Sequence, residues 1–432
     1  MAIVCLMLLG ILVFFSHKIY RSFINPLNLF LGINLVSIIL MYATSIIDDT
    51  ISPYLWFLIF IMMFFYVWGV GFEGKRVSIS SRYNFNLEKN FSNMERLKLL
   101  IFIYSIIFDI FAFYYLYHLN SAYGIKRMMQ DMSGINSAMQ TGEFETGIYS
   151  YFTPIGVPLS LMILFFLNKN KKKNNKRKAL YLQYLLCYIP CISPRRDFLF
   201  FMIIMTLLYL GTQSIKKTRN ENISWKKVKK IIFILGVIII AIWLMSYTQE
   251  LMNKSVDVGS DFRVFGIELP NWLTTPVVYV AGNYAYLQKT YEVGNLKFSF
   301  PLISTFRLLY RYLGPCLGIY IDTTTDFALK FYNIGLNQNF IFNTAPILYY
   351  IIKESGICFF IMFFVMGMLS MRAYKGIQCK NSIGRIMLGI FQFDIICFSF
   401  RSYNLISLSY VLALVYIVIA YLYVDRRIRI RF

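Results

Sequence analysis

Residues 149–178 read YSYFTPIGVPLSLMILFFLNKNKKKNNKRK. The first 20 of them carry no charged side chain, and the next ten carry 7 Lys or Arg. An uncharged run of that length matches a hydrocarbon core about 30 Å thick when it is helical. Clustered cations directly after such a run mark the side on which the chain stays in the cytoplasm. The same alternation recurs throughout the 432 residues. Apolar runs fall at about 1–15, 27–47, 54–72, 98–118, 149–168, 179–194, 197–213, 231–248, 356–372, 384–400 and 403–424. The expected fold is therefore all-α: a polytopic integral membrane helical bundle of about 11 transmembrane helices, with the lipid bilayer as its solvent.

Composition excludes the other classes. Charged residues make up 15% of the chain and hydrophobic ones 58%, whereas soluble proteins carry about 25% charged residues. That is too little polar surface for several water-facing globules, and too much apolar surface for disorder. The net charge of +22 would suggest nucleic acid on a soluble protein. Here the cations sit in short loops, so no nucleic-acid partner is expected. If alternate loops are assigned to the cytoplasm with the N-terminus outside, the inner loops hold 30 of the 43 Lys and Arg. The reverse orientation would send 168–178 and KKVKK (226–230) across the membrane. The topology expected is N-out and C-in. The first run lacks a basic segment before it and is followed by His17, Lys18 and Arg21, so it reads as an anchor rather than a cleavable signal.

Three regions follow: helices with short loops over 1–248, one large outer (periplasmic or extracellular) segment over 249–355, and C-terminal helices with a basic tail over 356–432. The large segment contains WLTTPVVYVAGNYAYLQ (272–288), FSFPLISTFRLLYRYLG (298–314) and FIFNTAPILYYIIKESG (340–356). These half-apolar pieces, broken by Pro and Gly, suit helices at the outer interface or dipping into the bundle.

Charges in unexpected places mark candidate chemistry. Arg195 and Arg196 in SPRRDFLFF (193–201) cap an outer hairpin, where cations are disfavoured. Adjacent guanidiniums offer forked donors to phosphate oxygens; snorkelling, or pairing with Asp197, is the alternative. Arg401 sits in an outer turn expected to be two or three residues long, with Asp394 two helical turns before it as an alternative partner. Arg307 and Arg311 are spaced i, i+4 and would share one helical face. Asp109 lies near the middle of the fourth run, where an ionisable group usually finds a partner inside the bundle. Among outer acids, Glu354 stands where an apolar span begins. There a carboxylate can serve as a base or simply as a helix-terminal anion. Glu268 is the second candidate base. No Cys/His set has metal-ligand spacing, so no metal or cofactor is expected.

From about 195 to 372 the order of these features resembles the bacterial oligosaccharide repeat-unit polymerases, the Wzy-type O-antigen and capsule polymerases. The basic pair at 195–196, the aromatic-rich outer segment, and Asn343, Thr344, Tyr349, Tyr350, Glu354 and Gly356 before an apolar span carry the resemblance. Glu354-Ser355-Gly356 stands where that family commonly has Asp-aromatic-Gly. The resemblance implies a GT-C-like glycosyltransferase architecture and undecaprenyl-pyrophosphate-linked oligosaccharides as substrates. Such a polymerase joins them into O-antigen or capsular polysaccharide on the outer face, and a chain-length regulator protein would be a further partner. Arg195, Arg196, Arg401, Arg307 and Arg311 would bind the pyrophosphate, Trp272, Tyr279 and Tyr284 would contact sugars, and Glu354 or Glu268 would take the acceptor's proton. A flippase or transporter of the lipid-linked unit, or a polysaccharide ligase, are the alternatives.

Overall fold

The computed structural model describes residues 2–20, 24–44, 47–48, 50–80, 93–130, 135, 147, 149–170, 175–192, 196–215, 262–299, 301–306, 310, 314–318, 330, 332–335, 341–378 and 382–425. They form twelve principal helices: α1 (Ala2–Tyr20), α2 (Ile33–Ala43, entered through a π turn at Asn28–Gly32), α3 (Pro53–Ser80), α4 (Met94–Gln130), α5 (Gly156–Lys169), α6 (Asn175–Leu186), α7 (Arg196–Ile215), α8 (Asn271–Glu292), α9 (Ile347–Ser355), α10 (Phe359–Gln378), α11 (Ile383–Cys397) and α12 (Leu408–Val424). Two antiparallel hairpins of two-residue strands interrupt the helices, β1–β2 (Arg263–Val264, Ile267–Glu268) and β3–β4 (Tyr332–Asn333, Ile341–Phe342).

Four helical stretches among the described residues are long and apolar enough to cross a membrane: Ile3–Tyr20, Pro53–Lys75, Met94–Gly124 and Ile347–Gln378. Asn28–Ala43, Thr153–Lys169, Phe201–Gly211 and Leu408–Val424 are shorter apolar helices. The chain is thus a helical membrane protein. On α4 the exposed Leu99, Phe102, Ile106, Ile110, Phe113 and Tyr117 recur every three or four residues, and Leu97, Tyr104, Phe108, Tyr115 and Leu119 are buried behind them. A helix apolar on its outward face as well as its inward one has lipid, not water, as its solvent. The expected run at 231–248 lies outside the described residues.

The chain divides into two compact units. The first takes residues 1–85, 256–374 and 395–407; the second takes 86–255, 375–394 and 408–432. In the first, α3 and α10 cross with almost no side chain between them. A Cβ on Gly367 would lie 3.0 Å from the Val70 nitrogen and nearer still to the Tyr66 carbonyl oxygen. A Cβ on Gly69 would lie 2.9 Å from the Phe364 carbonyl carbon and 3.1 Å from the Met368 nitrogen. Small residues at a crossing let two backbones approach where lipid supplies no hydrophobic drive. Beside this crossing Phe30 stacks on Tyr66 with centroids 4.0 Å apart, and Tyr66 donates its hydroxyl to the Pro26 carbonyl.

Loops that the charge pattern assigns to one side meet one another. Arg372 Nε donates to Glu73 Oε1 at 2.8 Å, and the Tyr374 hydroxyl donates to the Tyr20 carbonyl, joining three loops expected inside. Toward the other end Thr44 bridges Val264, Ile47 bridges Gly335, and the Ser52 amide donates to Gln288 Oε1, joining the expected outer end of the 27–47 run and the loop after it to the large outer segment. In the second unit, Asp425 Oδ2 accepts the Ser382 hydroxyl and the Gly384 amide, capping α11. The Asn93 amide donates to the Val424 carbonyl. Asn93, Ser382 and Asp425 fall in segments expected inside, and Gly384 and Val424 stand at the expected inner ends of their spans.

One expectation is corrected. The connection between the last two spans is not a turn of two or three residues. α11 stops at Cys397 and α12 starts at Leu408, leaving ten residues whose apolar members (Phe398, Phe400, Tyr403, Leu405 and Ile406) carried the hydropathy across the gap. The half-apolar piece at 340–356 forms the short helix its sequence suggests, α9, directly before the span expected at 356–372. At Gly356 the backbone takes φ 52° and ψ −127°, which no L-side chain accepts without strain.

Candidate functional site

The site builds up from the first unit. α8 packs along α2 and is buried on most of its surface, with Ala281, Asn283, Tyr284, Ala285, Tyr286 and Leu287 all inaccessible or nearly so. Polar groups brought into that interior are paired, as burial requires. The Tyr284 hydroxyl donates to Asn34 Oδ1 at 2.7 Å, and Asn34 Nδ2 donates to Ser399 Oγ at 2.8 Å. The Thr344 hydroxyl donates to Asn283 Oδ1 at 2.7 Å. Tyr284, expected to contact sugar, is therefore a buried strut of the α2–α8 seam.

The ten-residue connection between α11 and α12 touches this framework at three points. Ser399 receives Asn34, and its carbonyl accepts the Ile347 amide at 2.7 Å, which fixes the start of α9. Arg401 follows, with its guanidinium carbon 5.1 Å from the ring centroid of Tyr279. A cation over an aromatic face is stabilised by about 0.5–2 kcal/mol. The guanidinium carries five N–H donors, which can still serve an anion beside the ring. The half-buried Arg401 has no carboxylate partner among the described residues. Tyr403 is the third point.

Tyr403 belongs to a cluster at the C-terminal end of α9. Glu354 is 1% exposed. Its Oε2 accepts the Thr305 amide at 2.8 Å, and the Thr305 hydroxyl lies 3.1 and 3.0 Å from its two oxygens. Thr305 Oγ1 is in turn 2.9 Å from the Tyr403 hydroxyl. The segment bearing Thr305 is docked on the same helix end, because the Ser299 and Leu302 amides donate to the carbonyls of Lys353 and Glu354. Among the described residues no Lys or Arg pairs with Glu354; its neighbour Lys353 lies over Tyr349. Burial first, and then the Glu354 carboxylate, hold the Tyr403 phenol above its usual range, so Tyr403 stays protonated and able to donate.

The remaining sequence candidates fall as follows. Arg195, Arg307 and Arg311 lie outside the described residues. Arg196 opens α7, in the second unit, and Trp272 stands in the first turn of α8. Glu268 is exposed and pairs with Arg263 across the β1–β2 hairpin, Nη2 to Oε1 at 3.0 Å, which gives its carboxylate a local use. Asp109 receives Gln183 Nε2 at 2.8 Å, a partner of the kind expected for it. Thr305 and Tyr403 were not singled out in the sequence. Each is a lone hydroxyl, 49 residues before Glu354 in one case and 49 after it in the other, and no local spacing announces them. No protein family, characterised protein or solved structure matches this chain.

Proposed function

We propose that the chain is a repeat-unit polymerase of about eleven spans, N-out and C-in, with a GT-C-like arrangement. It joins undecaprenyl-pyrophosphate-linked oligosaccharides on the outer face of a bacterial cytoplasmic membrane. The hydroxyl of an incoming lipid-linked unit attacks the anomeric carbon of the growing chain. The bond from that carbon to the pyrophosphate oxygen breaks, the pyrophosphate leaves with the electron pair, and the hydroxyl's proton goes to a protein carboxylate.

The observation that carries this reading is the 398–407 connection. It presents Arg401, set over Tyr279 and without a carboxylate partner among the described residues, two residues from a phenol that leads through Thr305 to Glu354. Pyrophosphate departure needs fixed positive donors more than covalent help, and attack needs an oriented hydroxyl with a proton acceptor. The contacts among loops expected outside support placing this cluster on the face opposite the basic loops.

The test is purified protein given lipid-linked repeat units. Wild type is expected to yield a ladder of polymer still attached to undecaprenyl pyrophosphate. Glu354→Gln is expected to give almost no turnover, and Glu354→Asp partial turnover. Deletion of the gene in its host should leave surface polysaccharide one repeat long. Loss of all repeats from the outer face would point instead to a flippase, and accumulation of free lipid-linked polymer to a ligase.

A further inference from the structure

Glu354 is 1% exposed, so a sugar hydroxyl has no path to its oxygens in this structure. Both oxygens are occupied by Thr305. Thr305 itself is half-buried, and Tyr403 is buried, which makes the threonine the accessible member of the cluster.

Proton counting fixes the direction of the chain. A threonine hydroxyl has one proton and two acceptor lone pairs. An ionised Glu354 can only accept, so Thr305 donates to it. The contact between Thr305 Oγ1 and Tyr403 must then run from the phenol to the threonine. This leaves Thr305 Oγ1 bonded to its own carbon, donating to Glu354 and accepting from Tyr403, with one lone pair that no described residue uses.

We infer that the acceptor sugar hydroxyl binds that fourth position, and that its proton reaches Glu354 by way of Thr305. The inference rests on the polymerase reading and deepens it by naming the group that touches the acceptor. As the hydroxyl oxygen bonds to the anomeric carbon, its proton passes to Thr305 Oγ1. The proton that Thr305 already carries passes to a Glu354 oxygen. Glu354 ends neutral, Thr305 ends as it began, and the added negative charge leaves on the pyrophosphate. Tyr403 keeps its own proton throughout and positions Thr305, holding its hydroxyl on the carboxylate.

The experiment is steady-state polymerisation by full-length protein with lipid-linked repeat units, alongside thermal unfolding of each variant. General-base transfer contributes roughly 10²–10⁴-fold. Thr305→Val, which keeps the shape and removes the hydroxyl, is expected to lower kcat by about 10²-fold or more. Thr305→Ser is expected to keep most of the rate. The Thr305→Val/Glu354→Gln double variant should be no slower than the worse single one, because both remove the same transfer. Tyr403→Phe should cost less than Thr305→Val. Wild-type kcat in Thr305→Val, or full additivity in the double variant, would overturn the relay while leaving the polymerase reading standing. A folded wild type that makes no polymer would remove that reading and the relay with it. Should Thr305→Val fail to fold, Thr305→Ala against Thr305→Ser carries the same comparison.

Discussion

Replacing Gly367 by alanine adds one methyl group to the tightest place in the first unit. Its carbon would stand 3.0 Å from the Val70 nitrogen and 3.1 Å from the Tyr66 carbonyl carbon, with the Tyr66 oxygen closer than either. Carbon–oxygen contacts at helix crossings settle at about 3.3–3.6 Å. The opposing atoms are backbone, so no side chain can swing aside and α3 and α10 must separate. Overpacking of this kind typically costs about 1–3 kcal/mol. Two kcal/mol changes the folded-to-unfolded ratio by about 30-fold. Separation also loosens the Phe30–Tyr66 stack beside the crossing. Gly69→Ala meets the same crossing from the other helix, so the two changes should not add. Once one methyl has parted the helices, the second finds room, and the double variant should fall short of the sum. The assay is SDS titration of purified protein in mixed micelles. An unchanged midpoint for Gly367→Ala, or full additivity of the pair, would refute a backbone-to-backbone crossing.

Three further outcomes follow from the same structure. Gly356→Ala forces a side chain into φ 52°, with Phe298 3.3 Å from where its Cβ would be. It should cost about 1–3 kcal/mol in the same titration, and should lower polymerisation by shifting Glu354. Arg401→Lys keeps a cation near Tyr279 but loses the planar fork, so it should lower kcat far more than it lowers stability; polymer yield equal to wild type would mean that charge alone suffices there. Polymerisation is expected to survive EDTA, because arginine can stabilise the departing pyrophosphate, and strict dependence on added Mg²⁺ or Mn²⁺ would overturn that scheme.

The helices were legible in the sequence to the extent that they bury apolar side chains in lipid. PYLWFLIFIMMFFYVWGVGF announces α3, and the runs behind α1, α4 and α10 announce themselves equally. α8 was legible only as a half-apolar helix over 272–288, because Asn271, Thr274, Thr275, Asn283, Gln288 and Lys289 dilute its hydropathy. It is nevertheless buried, since each polar group at its centre meets a partner on another element. At its heart Gly282 lies under the side-chain ends of Ile334 and Phe342, each 2.9 Å from where a Cβ would be. Strands of two residues carry no period, so the hairpins were invisible. Glu354 was legible from its place at the mouth of a span. Its partners were not, because Thr305 and Tyr403 are 98 residues apart and only the fold makes them neighbours.

The stretch from Phe398 to Ser407 has a practical bearing on how the protein can be handled. Short links between membrane helices are the usual places to splice in an epitope or a reporter when sidedness is mapped, since extra residues there bulge harmlessly into water. This link is pinned at Ser399 to Asn34 and the head of α9, and at Tyr403 to Thr305. The three residues between them are a measured distance rather than slack. One inserted residue would satisfy one pin at the expense of the other, so a tag placed there would report a disabled protein instead of its topology.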